Sequence, residues 1–251
     1  MKQLILGFFI FFTIAGCTFT PKESDGVSQN KKINKNLICA KQVDILQISI
    51  NNALPPKKSF KLYLKKLKKY TTDNIVIHKT VNLSMNPKLI NNFIQGYGRE
   101  RKGFNYLAEK ERKKLKEALA SFPKNKSGIV MIYTPVLKCP ANPERNLRGY
   151  AFGYAPDYSV VAYSETSINK APLISKTQAW KIVLTHEIGH SFHLPANKER
   201  NDHGHCTSRE CILYKGPDWR AVLSVPTNGM PYDFCKSCQA ELKEAKNSCK
   251  E

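Results

Sequence analysis

WKIVLTHEIGHSF, residues 180–192, carries two patterns at once. Trp180, Val183, Leu184, Ile188 and Phe192 recur at steps of three and four, which predicts an amphipathic helix over 177–192 with one face buried. On that helix His186 and His190 stand one turn apart, so their Cβ atoms leave the same side roughly 6 Å apart, within reach of one tetrahedral ion. Glu187 points to the flank of such an ion, where a carboxylate can take a proton from a metal-bound water. The spacing implies a zinc site with hydrolytic chemistry. A helix bearing two surface histidines and a solvated glutamate is the bland alternative. Against it, five of the six histidines in the chain fall between residues 186 and 205.

Two histidines do not hold a catalytic zinc, and a third protein ligand must leave one position open for water. His193 is excluded by distance, because seven residues of helix carry it about 10 Å along the axis from His186. Pro195 disfavours helical geometry at Leu194, so the chain is expected to turn back through residues 196–202. Gly204 gives backbone freedom beside either His203 or His205. His205 is preferred because a cysteine stands directly after it, and His203 stays open. That cysteine is Cys206; Cys211 comes after four more residues, and Cys235 and Cys238 form a C-x-x-C. Two such pairs have the spacing of a four-thiolate zinc site, with two disulfides as the alternative.

At this point the sequence resembles the archaemetzincins. These are metallopeptidases of the metzincin group in which HExxHxxGxxH is followed directly by a cysteine, four residues, a second cysteine and later a CxxC. His186, Glu187, His190, the pair His205-Cys206, Cys211, Cys235 and Cys238 match that order. The resemblance implies two zinc ions per chain. One would be catalytic on His186, His190 and His205 with Glu187 as general base, the other structural on the four cysteines. It further implies peptidase activity on a peptide or protein substrate, aminopeptidase action being one form of it. Three features depart from the family pattern. His193 replaces the expected glycine, the third histidine arrives nine residues late, and Leu213 stands where the family has a methionine beneath the metal. The stretch between Cys211 and Cys235 is also longer than is usual there. The alternative function is a non-catalytic zinc-binding lipoprotein in which the HExxH site is structural or sequesters metal.

Residues 1–16 read as a lipoprotein signal peptide. Lys2 precedes an apolar run of about eleven residues, too short to span a bilayer, and the closing Ala15-Gly16-Cys17 resembles a bacterial lipobox, an ordinary secretory signal cut near Gly16 being the alternative. Cys17 is then the lipidated first residue, anchoring the exported protein to a membrane. Thr18, which is not an aspartate, favours the outer membrane or cell surface over the inner membrane. A polar stretch, 17–38, reads as a flexible tether, and 39–251 as one metallopeptidase domain with the cysteine module at about 206–238.

Within that domain 43–50, 75–78 and 128–133 read as strands, and 59–70 and 105–122 as helices. Residues 150–154 and 159–164 read as a hairpin. That order predicts an α+β class with an α/β-like upper subdomain, in which a mixed twisted sheet carries covering helices, and then the active-site helix. By resemblance it is a metzincin-like zincin fold whose edge strand, 150–155 or 160–164, pairs with extended substrate. Cys39, Cys139 and Cys249 remain, with a Cys39–Cys139 disulfide conceivable in an exported protein. His78 reads as structural. The formal charge of +20 is concentrated in lysines at 57–69, 110–116 and 242–250, which suit a solvated face that attracts anionic surfaces. The export signal and the lack of a recognition-helix pattern speak against nucleic acid, and a monomer is expected.

Overall fold

A computed structural model describes residues 32–100, 102–123, 127–139, 142–152, 158–171, 174–214 and 232–249. The signal segment and Cys17 lie outside the described residues. A one-turn helix, α1 (Lys35–Ile38), leads into strand β1 (Val43–Ile50) and helix α2 (Lys57–Tyr70). Two short strands, β2 (Ile75–Ile77) and β3 (Val81–Leu83), precede helices α3 (Pro87–Glu100) and α4 (Glu109–Ser121). Strand β4 (Gly128–Thr134) is followed by a ribbon of β5 (Leu137–Cys139) and β6 (Asn142–Leu147). Next come strands β7 (Gly149–Ala151) and β8 (Tyr158–Ser164), then helices α5 (Glu165–Asn169) and α6 (Lys176–Ser191). A second ribbon of β9 (Asn201–Asp202) and β10 (His205–Cys206) and a last helix, α7 (Lys236–Asn247), complete the described chain.

The main sheet runs β2-β1-β4-β8-β7, with β3 following β2 along the same side of β1. Every pairing is parallel except β7 with β8. A parallel sheet must be covered on both faces, and the alternation of β4 shows how that is done. Ile129, Met131 and Tyr133 pack with α2, α6 and α7, whereas Val130 and Ile132 pack with α3 and α4. The class is therefore α+β, a mixed sheet with covering helices and a C-terminal cysteine module.

Several elements differ from the sequence reading. The helix expected over 105–122 begins at Glu109, after a separate 3-10 turn at Phe104–Tyr106. Helix α3 was not anticipated, although Pro87 opens it and Ile90, Phe93, Ile94 and Tyr97 form its buried stripe. The last residues assigned to the tether belong to the fold. The Asn34 N–H donates to the Phe192 carbonyl at 3.0 Å, and Leu37 and Ile38 are buried. The conceivable Cys39–Cys139 disulfide is replaced by Cys39–Cys249, because α1 packs on α7 and brings those two thiols together.

That bridge closes a loop of 210 residues, so its main effect falls on the unfolded chain. Replacing both Cys39 and Cys249 by serine is expected to lower stability by about 2–5 kcal/mol, read as a drop in Tm that dithiothreitol reproduces in the parent protein.

Candidate metal centre

Helix α6 begins with a capping box, in which Ser175 Oγ accepts from the Gln178 N–H and the Gln178 side chain accepts from the Ser175 N–H. The sequence predicted one buried face. The structure instead buries the helix on nearly all sides from Ala179 to Ser191, with the sheet against one side and α2 and the cysteine module against the other. His186 and Glu187 are thereby 7% and 5% exposed, on a helix whose polar groups have little water to turn to. Their partners come from the protein. His186 Nδ1 lies 2.7 Å from the Ile212 carbonyl, which can only accept, so Nδ1 carries the proton and Nε2 offers its lone pair. Burial also pushes the His186 imidazole below its usual pKa, favouring the neutral form that ligates metals.

The chain leaves α6 through His193 at φ +61°, the left-handed conformation for which a glycine is the usual residue. It returns as the β9-β10 ribbon, whose two-residue tip, His203-Gly204, has φ of +53° and +87°, as a type I′ turn requires. His203 therefore sits exposed at the tip with Nδ1 2.6 Å from the Asp202 carboxylate. His205 enters the ribbon proper. The structure brings His205, and not His203 or His193, to the helix histidines. One ligating nitrogen from each of His186, His190 and His205 lies within 4.8 Å of the others. His186 Nε2 and His190 Nε2 are 3.2 Å apart, against an edge of about 3.4 Å for a zinc tetrahedron with bonds near 2.1 Å.

Cys206, Cys211, Cys235 and Cys238 form a second cluster of free thiols. Cys206 Sγ to Cys235 Sγ and Cys211 Sγ to Cys238 Sγ are each 3.8 Å. Bonds of 2.3 Å from zinc to sulfur give a tetrahedral edge of about 3.8 Å, whereas a disulfide needs about 2.05 Å. The donor set fits a four-thiolate ion rather than two disulfides. The Cys211–Cys238 hydrogen bond and the Cys235 N–H, 3.3 Å from Cys211 Sγ, hold the Cys211 thiol down to about 6, toward the thiolate that binds metal, while the same thiol pair pushes Cys238 up. Arg200 Nη1 lies 3.6 Å from Cys238 Sγ, a cation beside sulfurs that gather negative charge. Glu241 holds Arg200 and also accepts the Ala196 N–H at 2.8 Å, fastening the returning loop to α7.

Glu187 lies against the edge of the sheet. A Cβ built on Gly149 of β7 would stand 2.5 Å from Glu187 Oε1 and 2.7 Å from its Cγ, so only a glycine lets the carboxylate rest there. Burial pushes the Glu187 carboxyl up to about 8, near the range of a group that exchanges protons at neutral pH. Gly149 escaped the sequence reading, which began the edge strand at Tyr150. The Ile212 carbonyl escaped it too, since backbone acceptors leave no residue signature. Leu213, in the position where the resembling family has methionine, packs under Gly189, and its Cδ atoms lie 2.7–2.8 Å from where a Cβ would be.

No family model matches the sequence, and no curated protein matches it. Among solved structures, the chain is similar to the archaemetzincin of Methanopyrus kandleri at 17% identity and a TM-score of 0.49, covering 82% of this chain and 96% of that one. It is also similar to the archaemetzincin of Archaeoglobus fulgidus at 14% identity and a TM-score of 0.44, covering 79% and 99%.

Gly189 is the point where α6 rests on the cysteine module, in contact with Leu213 and Phe234. Gly189→Ala is expected to destabilise the protein by about 1–3 kcal/mol in urea denaturation, despite alanine being the better helix former. Unchanged or increased stability would show that the module is not seated on the helix.

Proposed function

We propose that this protein is a zinc-dependent metallopeptidase, exported and anchored to a membrane by lipid on Cys17. Its carrying observation is the convergence of three imidazole nitrogens beside a buried carboxylate that abuts the sheet edge. His186, His190 and His205 would hold the catalytic zinc, and the four cysteines a structural one. An ion held there would supply Lewis acidity toward a peptide carbonyl and a water molecule. Glu187 accepts the proton of that water and delivers it to the departing amine.

Strand β7 supports the substrate side of this reading. It pairs only with β8 among the described residues, so its outer edge has backbone groups for an extended peptide. Gly149 lies on that strand directly against Glu187, which would place a peptide bound along β7 beside the carboxylate.

Cleavage of a defined peptide mixture, read by mass spectrometry, tests the chemistry. Glu187→Gln is expected to keep its zinc and lose at least about 100-fold in rate, the minimum for removing a general base. Gly149→Ala is expected to keep both the fold and the zinc while lowering kcat, because its new methyl displaces the carboxylate and leaves the imidazoles in place. Full activity in Glu187→Gln would refute the peptidase role. A parent chain that holds two zinc ions and cuts nothing would make it a metal-binding lipoprotein instead.

A further inference from the structure

Helix α2 contains seven lysines and no acidic residue. Lys57, Lys58, Lys61, Lys65, Lys68 and Lys69 are exposed and, at 3.6 residues per turn, fall within an arc of about 120°. The seventh, Lys66, is turned inward to Asp233 at 2.9 Å. Where the end of α2 meets α7 the stripe continues into a cleft of about 470 Å³. Lys69, Lys236, Lys243 and Lys246 line it beside Tyr70 and Gln239, and no carboxylate lines it. Acids on the same elements are Asp233, held by Lys66 and 3.8 Å from Lys69, and Glu241, held by Arg200, with Glu244 exposed on α7 and Asp73 exposed just past the end of α2.

The chain before residue 32 meets the domain at the end of α6, where the Lys32 carbonyl lies 3.2 Å from His193 Nδ1, and runs from there through α1 to the same corner. Cys39 is bonded to Cys249, three residues beyond Lys246, and α1 packs on α7. Beside them Thr72 Oγ1, just past the end of α2, donates to the Lys41 carbonyl at 3.4 Å. The path from an anchored N-terminus into the domain thus passes the lysine-rich corner. We propose that the α2–α7 face docks on the anionic headgroups of a phospholipid membrane. The inference rests on the membrane-anchoring part of the proposed function and not on its chemistry. Each lysine adds a favourable contribution near such a surface, and salt weakens it. Docking would set the orientation of the domain, which a lipid on a tether alone leaves free.

Flotation with phospholipid vesicles tests this on the full chain carrying Cys17→Ser, so that no acyl chain contributes. Binding to vesicles with 30% phosphatidylglycerol is compared with binding to pure phosphatidylcholine, which accounts for the apolar residues 4–14. The full chain is expected to prefer the anionic vesicles by about tenfold or more and to lose that preference in 0.5 M NaCl. K65E/K68E/K236E/K243E leaves the contacts of Lys66, Lys69 and Lys246 intact and is expected to abolish the preference. K88E/K110E/K113E/K116E makes the same change of charge on α3 and α4, across the sheet, and is expected to retain it. Equal loss in both variants would reduce the effect to net charge and overturn the proposal, as would no preference in the parent chain. Displacement from the vesicles by duplex DNA at equal phosphate would assign the face to nucleic acid and also overturn it. The peptidase assay is independent of all these outcomes. A lipid-anchor reading that fails in cells while the vesicle preference stands would separate the two claims.

Discussion

Neighbouring side chains of an extended strand point to opposite sides, and here that rule ties two clusters together. Strand β10 is only His205 and Cys206, yet the first enters the histidine cluster and the second the cysteine cluster. The coupling continues after it. The Cys206 N–H donates to the Leu213 carbonyl at 2.9 Å, which draws the segment from Cys211 to Leu213 beneath α6. The preceding carbonyl, that of Ile212, then fixes the His186 ring. The cysteine module thus supplies one imidazole of the histidine cluster and orients another.

The surrounding fold serves the same end. Burying two histidines and a glutamate on one helix is costly unless each polar group has a partner or a ligand. The sheet edge supplies a glycine against Glu187, and the module supplies a carbonyl to His186. Tyr70, Phe192 and Phe234 meet edge-on or tilted, with ring centroids 5.5–6.5 Å apart, and seal the junction of α2, α6 and the module. The Tyr70 hydroxyl donates to Asp233, which joins α2 to the same module.

Short-range periodicity is the part of this structure that the sequence makes legible. β1 and β4 are buried on both faces, β4 shows as a continuous apolar run, and the i, i+4 histidines show which helix they share. The cysteine spacings announced a thiolate cluster for the same reason. The choice between His203 and His205 depended on a turn type that neither residue advertises, since a histidine is an unusual occupant of a left-handed position. Helix α3 had its Pro87 start and its apolar stripe in plain view, but the glycines at 96 and 98 blurred it. The partner of Cys39 and the contact of Gly149 with Glu187 join residues far apart in the chain, which local pattern cannot encode.

If the histidine site is assembled by the cysteine module, the two clusters must fail asymmetrically. Zinc per chain, measured by elemental analysis on purified full-length protein, tests this directly. Two ions are expected in the parent and one in His186→Ala, because the cysteine cluster stands without that histidine. Fewer than one is expected in Cys235→Ser/Cys238→Ser, because His205 and the Ile212 carbonyl lose their support. A cysteine variant that kept one ion, lost on adding His186→Ala, would contradict this coupling.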